Sequence, residues 1–157
     1  MKILGIDPGL SKTGIAILSR EKDNKRLSWE LLEYKKGEKR LLKYFQSLKN
    51  IIEKEKPDNI VIESTFRGPN TKTLIKVAEL RGVYLLLTQM KNLSIQEFSP
   101  REIKQSVTGS GASSKKQVKY MVQKILNIDE DIPLDISDAF GAIICYLNRN
   151  KKYAGIY

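Results

Sequence analysis

Apolar residues run almost unbroken from Ile3 to Ile6 and stop at Asp7-Pro8-Gly9, the pattern of a short buried strand closed by turn residues. A second strand is predicted over residues 13–19 and a polar turn over 20–24. A third strand is expected over 26–34, where Leu27, Trp29 and Leu31 alternate with polar neighbours. Three such segments in a row predict an antiparallel meander with a solvent-facing edge. The period then changes: Leu41, Leu42, Phe45, Leu48, Ile51 and Ile52 recur at three and four, which predicts an amphipathic helix over 38–56, stopped by Pro57. Residues 59–63 form a β-branched run of the kind buried in a parallel sheet, and it ends abruptly at Glu63. A helix over 71–91 follows. Its segment 83–87 is apolar on every side, which fits either contact with a second subunit or full burial within one chain. A strand over 94–98 leads through Ser99-Pro100, a helix-start signature, into another helix. A Gly and Ser loop over 106–114, a helix over 114–126, an acidic turn and a last helix over 135–148 complete the chain. The order implies an α/β fold: a five-stranded mixed sheet, three strands antiparallel and then parallel ones, with helices on both faces.

The 157 residues suit one domain spanning 1–157. Composition is ordinary for a globular chain, but 28 Lys and Arg against 18 Asp and Glu give a formal net charge of +10. That charge favours a polyanionic partner, although a solvated Lys-rich surface gives the same sum. The single cysteine, Cys145, lies in an apolar stretch and reads as a buried structural thiol in a reducing compartment. No signal-peptide pattern and no membrane-spanning run is present in the sequence, so the expected location is the cytoplasm and no membrane partner is expected. Histidine is absent, which removes Ser-His-Asp triads, His-ligated zinc and imidazole bases. Chemistry is left to carboxylates, lysines, hydroxyls or a bound metal.

Asp7 and Glu63 each end a predicted strand, so adjacent central strands would put both carboxylates at one sheet edge. Asp135 and Asp138 stand three apart at the start of the last helix, hence on one face of it, where the helix dipole tolerates anions. Each has an ordinary reading as well: Asp7 as a turn cap, Glu63 as a lysine partner, Asp135 as an N-cap. Four converging carboxylates would repel one another unless cations compensate them, and hard oxygen donors suit Mg²⁺, or Mn²⁺ in its place. Two such ions about 4 Å apart are a known device for phosphodiester hydrolysis.

The blocks Gly5-Ile6-Asp7-Pro8-Gly9 with Thr13-Gly14, Ile62-Glu63-Ser64-Thr65-Phe66, Ile103-Lys104-Gln105-Ser106-Val107-Thr108-Gly109 leading to Lys115-Lys116-Gln117-Val118, and Asp135-Ile136-Ser137-Asp138-Ala139 resemble the RuvC family of Holliday-junction resolvases from end to end. The resemblance implies a ribonuclease-H-like fold, a homodimer, and Mg²⁺-dependent paired nicking of a four-way DNA junction, leaving 5′-phosphate and 3′-hydroxyl ends. It makes Asp7, Glu63, Asp135 and Asp138 the metal-binding carboxylates, holding two ions per site. Some members carry His where Asp135 stands; Asp still supplies an oxygen. Lys104 and Lys115 match the motif lysines near the scissile phosphate, with Lys116 beside Lys115 as an alternative DNA contact. Phe66 resembles the family's junction-centre aromatic, with Arg67 meeting phosphate. Coupling to a RuvAB branch-migration complex is implied by the resemblance alone.

Three other readings compete. The Asp7 to Gly14 segment also resembles the phosphate-binding hairpin of actin-like and sugar-kinase ATPases, which need two such domains where this length provides one. A YqgF-type ribonuclease-H-like nuclease would share the first block and act on RNA. A non-catalytic junction-binding module would gain nothing from four carboxylates at a phosphate contact.

Overall fold

A computed structural model describes residues 1–22, 24–35, 37, 39–64 and 71–150. Ten elements follow one another: β1 (Lys2–Asp7), β2 (Lys12–Glu21), β3 (Asn24–Glu33), α1 (Arg40–Glu55), β4 (Asn59–Glu63), α2 (Thr71–Met90), β5 (Ser94–Phe98), α3 (Pro100–Thr108), α4 (Lys115–Leu126) and α5 (Leu134–Arg149). The sheet order is β3-β2-β1-β4-β5. β1, β2 and β3 pair antiparallel, while β4 pairs parallel to β1 and β5 parallel to β4. This is the expected five-stranded mixed sheet. Its parallel half requires the crossovers that α1 and α2 supply.

Alternation along the strands feeds two cores. Leu4, Ile6, Ile15, Ile17, Ile60 and Ile62 face α1 and α2, where Tyr44, Leu48, Leu80, Tyr84 and Leu87 meet them. Ile3, Ala16, Leu18 and Val61 point the other way, toward α3, α4 and above all α5. Every residue of α5 from Ile136 to Leu147 is buried, because the sheet lies on one side of it and α3 and α4 on the other. Cys145 is among them, as the sequence implied.

Several boundaries differ from the sequence-based expectation. β2 extends to Glu21, since Arg20 and Lys25 still pair across the hairpin, and only a tight turn with Lys22 at φ 52° remains. α1 starts at Arg40, and its inner stripe runs through Tyr44, Leu48 and Ile52 while Leu42 stays 47 % exposed. The predicted loop over 106–114 begins as helix: α3 continues through Thr108, whose hydroxyl donates back to the Lys104 carbonyl, and ends at Gly109 with φ 78°. Both Ser99 and Ser114 form capping boxes, with Glu102 and Gln117 reaching back. Pro133 is the N-cap of α5, which puts Asp135 inside the first turn and excludes the N-cap role for it.

Candidate active site

Two glycines decide where α5 can lie. A Cβ at Gly5 would stand 2.3 Å from the Ala139 carbonyl oxygen, and one at Gly14 would stand 2.1 Å from the Asp135 carbonyl oxygen. Only strands without side chains at these points let the first two turns of α5 rest on the backbone of β1 and β2. Gly14 is paired with Asp7 across the β1–β2 ladder, so that contact sets the start of α5 against the end of β1. In the neighbouring parallel pair Ile6 stands opposite Ile62, which makes Asp7 and Glu63 the next residues on adjacent strands. Both fall on the same sheet face as Gly5 and Val61, the face that carries α5.

The carboxylates of β1, β4 and α5 are therefore gathered at one end of the sheet. Asp138 is buried, with 7 % of its surface exposed, while Asp7, Glu63 and Asp135 are half-buried. Burial pushes the Asp7 pKa well above the usual carboxylate range. Glu63 and Asp138 push it further, Lys115 opposes them, and Asp135 adds the smallest push. Burial likewise lifts Glu63 to about 7, with the charge of Asp138 adding to it and Lys115 and Lys104 opposing. Neither ordinary reading fits these two residues. Among the described residues Glu63 has no ion-pair partner within 4 Å, and no hydrogen bond ties the Asp7 side chain to a turn.

Among the described residues one cation forms an ion pair within the cluster. Lys115, the first residue of α4, extends its Nζ to 2.8 Å from Asp138 Oδ2. Burial pulls the Lys115 pKa down, but the hydrogen bond and charge of Asp138, with Asp7 and Glu63 behind it, leave it raised. Lys116 points elsewhere, into a groove lined by Thr108, Ser113, Tyr120 and Met121. Lys104, on α3, acts on Glu63 through its charge without an ion pair. Phe66 and Arg67 lie outside the described residues.

The donor chemistry fits a hard divalent cation. The cluster offers carboxylate oxygens only, and desolvation of Asp7 and Glu63 makes their ionised forms costly without added positive charge. Lys115 supplies one such charge. Among the described residues no three of these groups stand close enough together to hold a metal ion as they are arranged here. Sequence reasoning did not find the close approach at Gly5 and Gly14, nor the buried pairing of Thr13 with Tyr84. A tyrosine inside the apolar run 83–87 was a usable signal, because a buried phenol needs a hydrogen-bond partner.

Comparison with known proteins gives one consistent answer. The sequence model of the family described as "Crossover junction endodeoxyribonuclease RuvC" matches residues 3–146. The protein of that name from Caldicellulosiruptor saccharolyticus is 37 % identical over 153 residues, covering 94 % of this chain and 92 % of that one. The one from Ehrlichia canis is 36 % identical over 156 residues, covering 98 % and 100 %. Among solved structures, Thermus thermophilus RuvC in complex with a Holliday junction substrate superposes with a TM-score of 0.83 at 22 % identity, covering 92 % of each chain. That likeness speaks for the fold, which is ribonuclease-H-like.

Proposed function

Because the chain belongs to the RuvC family of crossover junction endodeoxyribonucleases, we propose that it is a structure-selective DNA endonuclease that resolves four-way junctions by paired, symmetric nicks, leaving 5′-phosphate and 3′-hydroxyl ends. The observation that carries the reading is the gathering of Asp7, Glu63 and Asp138 at one sheet edge, with Lys115 reaching into them. A binder of phosphates gains nothing from such a cluster, whereas a hydrolase that uses a divalent ion needs it.

Asp7, Glu63, Asp135 and Asp138 are the residues that would hold Mg²⁺, or Mn²⁺ in its place, and two ions per site is the stoichiometry the family suggests. When bound, the metal supplies Lewis acidity at the phosphate and an ionised water as nucleophile. The chain's own groups do the rest. Gly5 and Gly14 keep α5 close enough for Asp138 to face Asp7 and Glu63. The ammonium of Lys115, paired with Asp138, would hold a phosphate oxygen and offset charge that develops as the bond breaks, and Lys104 would add positive potential beside Glu63. Lys116, Phe66 and Arg67 are proposed DNA contacts, Phe66 stacking on an unpaired base. The formal charge of +10 supports backbone binding of the same substrate.

A single nuclease domain over 1–157 is part of this proposal, and the family match over residues 3–146 is its support. A homodimer is the assembly that two symmetric cuts call for. The exposed apolar residues Ile75, Leu86 and Met90 on α2 are its proposed contact, and Leu86→Glu should turn a dimer into a monomer in light scattering. Coupling to a RuvAB motor and a cytoplasmic location are inferred from the family. No described helix is long and apolar enough to cross a membrane.

The decisive experiment offers the purified protein a labelled four-way junction, a linear duplex and an RNA–DNA hybrid, with Mg²⁺ or with EDTA. Paired, religatable nicks in the junction alone, lost with EDTA and in Asp7→Asn, are the expected result. Cutting of RNA or of the hybrid would replace the substrate, and junction binding without cutting would reduce the protein to a binding module.

A further inference from the structure

Beneath the turn that follows Asp7, on the sheet face opposite α5, runs a buried hydrogen-bond chain that the chemistry above does not use. Thr13, on β2, and Tyr84, on α2, are both fully enclosed, with no exposed surface. The Thr13 hydroxyl donates to the Gly9 carbonyl at 3.2 Å, accepts from the Gly9 N–H at 3.4 Å, and lies 3.1 Å from the Tyr84 hydroxyl. A threonine hydroxyl has one proton and two lone pairs. With the proton on the Gly9 carbonyl, and one lone pair on the Gly9 N–H, the remaining lone pair must take the Tyr84 proton. Tyr84 is therefore the donor that closes the chain. Burial raises its pKa far beyond the working range, so the proton stays in place. Tyr44, on α1, braces the pair: its ring meets that of Tyr84 edge-on at 6.4 Å, and its hydroxyl points to the Leu10 carbonyl at 3.5 Å.

The turn so held has little slack. A Cβ at Gly9 would stand 2.1 Å from the Lys12 carbonyl oxygen, so the loop from Asp7 back to β2 is already closed on itself. Asp7 is two residues before Gly9, at the last rung of the β1–β2 ladder. We propose that Tyr84 is a positioning residue for cutting: through Thr13 its hydroxyl fixes the Gly9 peptide, and with it the place where the Asp7 carboxylate leaves the sheet edge. The inference rests on the nuclease reading of Asp7. Misplacing a reacting group by a fraction of an ångström costs far more in rate than in affinity for a large substrate, which separates this role from simple stability.

The test is Tyr84→Phe in the full chain, which removes one oxygen and keeps the ring. Three quantities are measured well below the melting temperature: Mg²⁺ binding to the DNA-free protein by calorimetry, single-turnover cutting of a four-way junction, and junction affinity in EDTA. The expected result is Mg²⁺ binding weaker by about ten-fold and cutting slower by about ten-fold, partly recovered at high Mg²⁺, with junction affinity within about two-fold of the parent. Thr13→Ser, which keeps the hydroxyl, should stay near the parent in all three, while Thr13→Val should behave like Tyr84→Phe. A folded Tyr84→Phe that binds Mg²⁺ and cuts like the parent overturns the proposal. If Tyr84→Phe does not fold, the Thr13 pair decides, and equal Mg²⁺ binding by the Ser and Val variants overturns it. If the parent binds Mg²⁺ but does not cut the junction, the nuclease reading fails, and the calorimetric comparison still tests the relay.

Discussion

Replacing Glu63 with Gln should make the metal-free protein more stable at neutral pH while it abolishes cutting. A carboxyl held at about 7 in the fold, against an ordinary value of 4.5, takes up protons on folding throughout that interval. Between about pH 4.5 and 7 the folded state therefore binds more protons than the unfolded chain, and stability in EDTA falls as pH rises through the window. At roughly 1.4 kcal/mol per pH unit between the two values, the ionised side chain costs the fold up to about 3 kcal/mol at about pH 8. The neighbouring Asp7 gains as well, since after burial the charge of Glu63 is the largest influence raising its pKa. The amide keeps the shape of the side chain and removes its charge. Urea unfolding in EDTA should show Glu63→Gln ahead by up to about 3 kcal/mol at about pH 8, a midpoint shift of about 1 M or more, and nearly level with the parent at about pH 4.5. Added Mg²⁺ should close the gap by stabilising the parent alone, because a ligand stabilises only the state that binds it. A variant less stable than the parent near pH 8, or a difference that does not shrink as pH falls, refutes the reasoning.

Lys115→Met should slow junction cutting by at least about a hundred-fold, whereas Lys116→Met should keep most of the rate, because only Lys115 reaches Asp138; single-turnover rates on a synthetic junction decide it. Gly14→Ala should cost about 1 to 3 kcal/mol in unfolding free energy and most of the cutting, since its methyl group must push the Asp135 backbone away. Ser99→Ala, which removes the capping box of α3, should cost about 1 kcal/mol in urea unfolding.

Much of the fold was legible along the chain because each period meets its own kind of burial. The run at 59–63 is buried on both faces between two helical layers, so it reads as continuous apolar sequence, and β4 has those bounds. Ser99 announced a helix start through local hydrogen bonds that need no tertiary partner, and Ser114 forms the same capping box in the structure. The end of α3 was misread because Ser106, Val107 and Thr108 have weak helix preferences, and burial of Val107 against α5 outweighs them. Asp135 looked like an N-cap because cap chemistry is local, while the start of α5 is set by its contact with Gly14.

The sequence by itself determined the elements, their order, the absence of histidine chemistry and the carboxylates at strand ends, since these follow from residue type and spacing. Tertiary structure alone decided which lysine meets Asp138, how closely α5 lies on the sheet, and that Tyr84 closes a hydrogen-bond chain to Gly9. Those are relations between residues at least 23 positions apart. Distances across a packed interior are set by the volumes of everything between them, which no local pattern records.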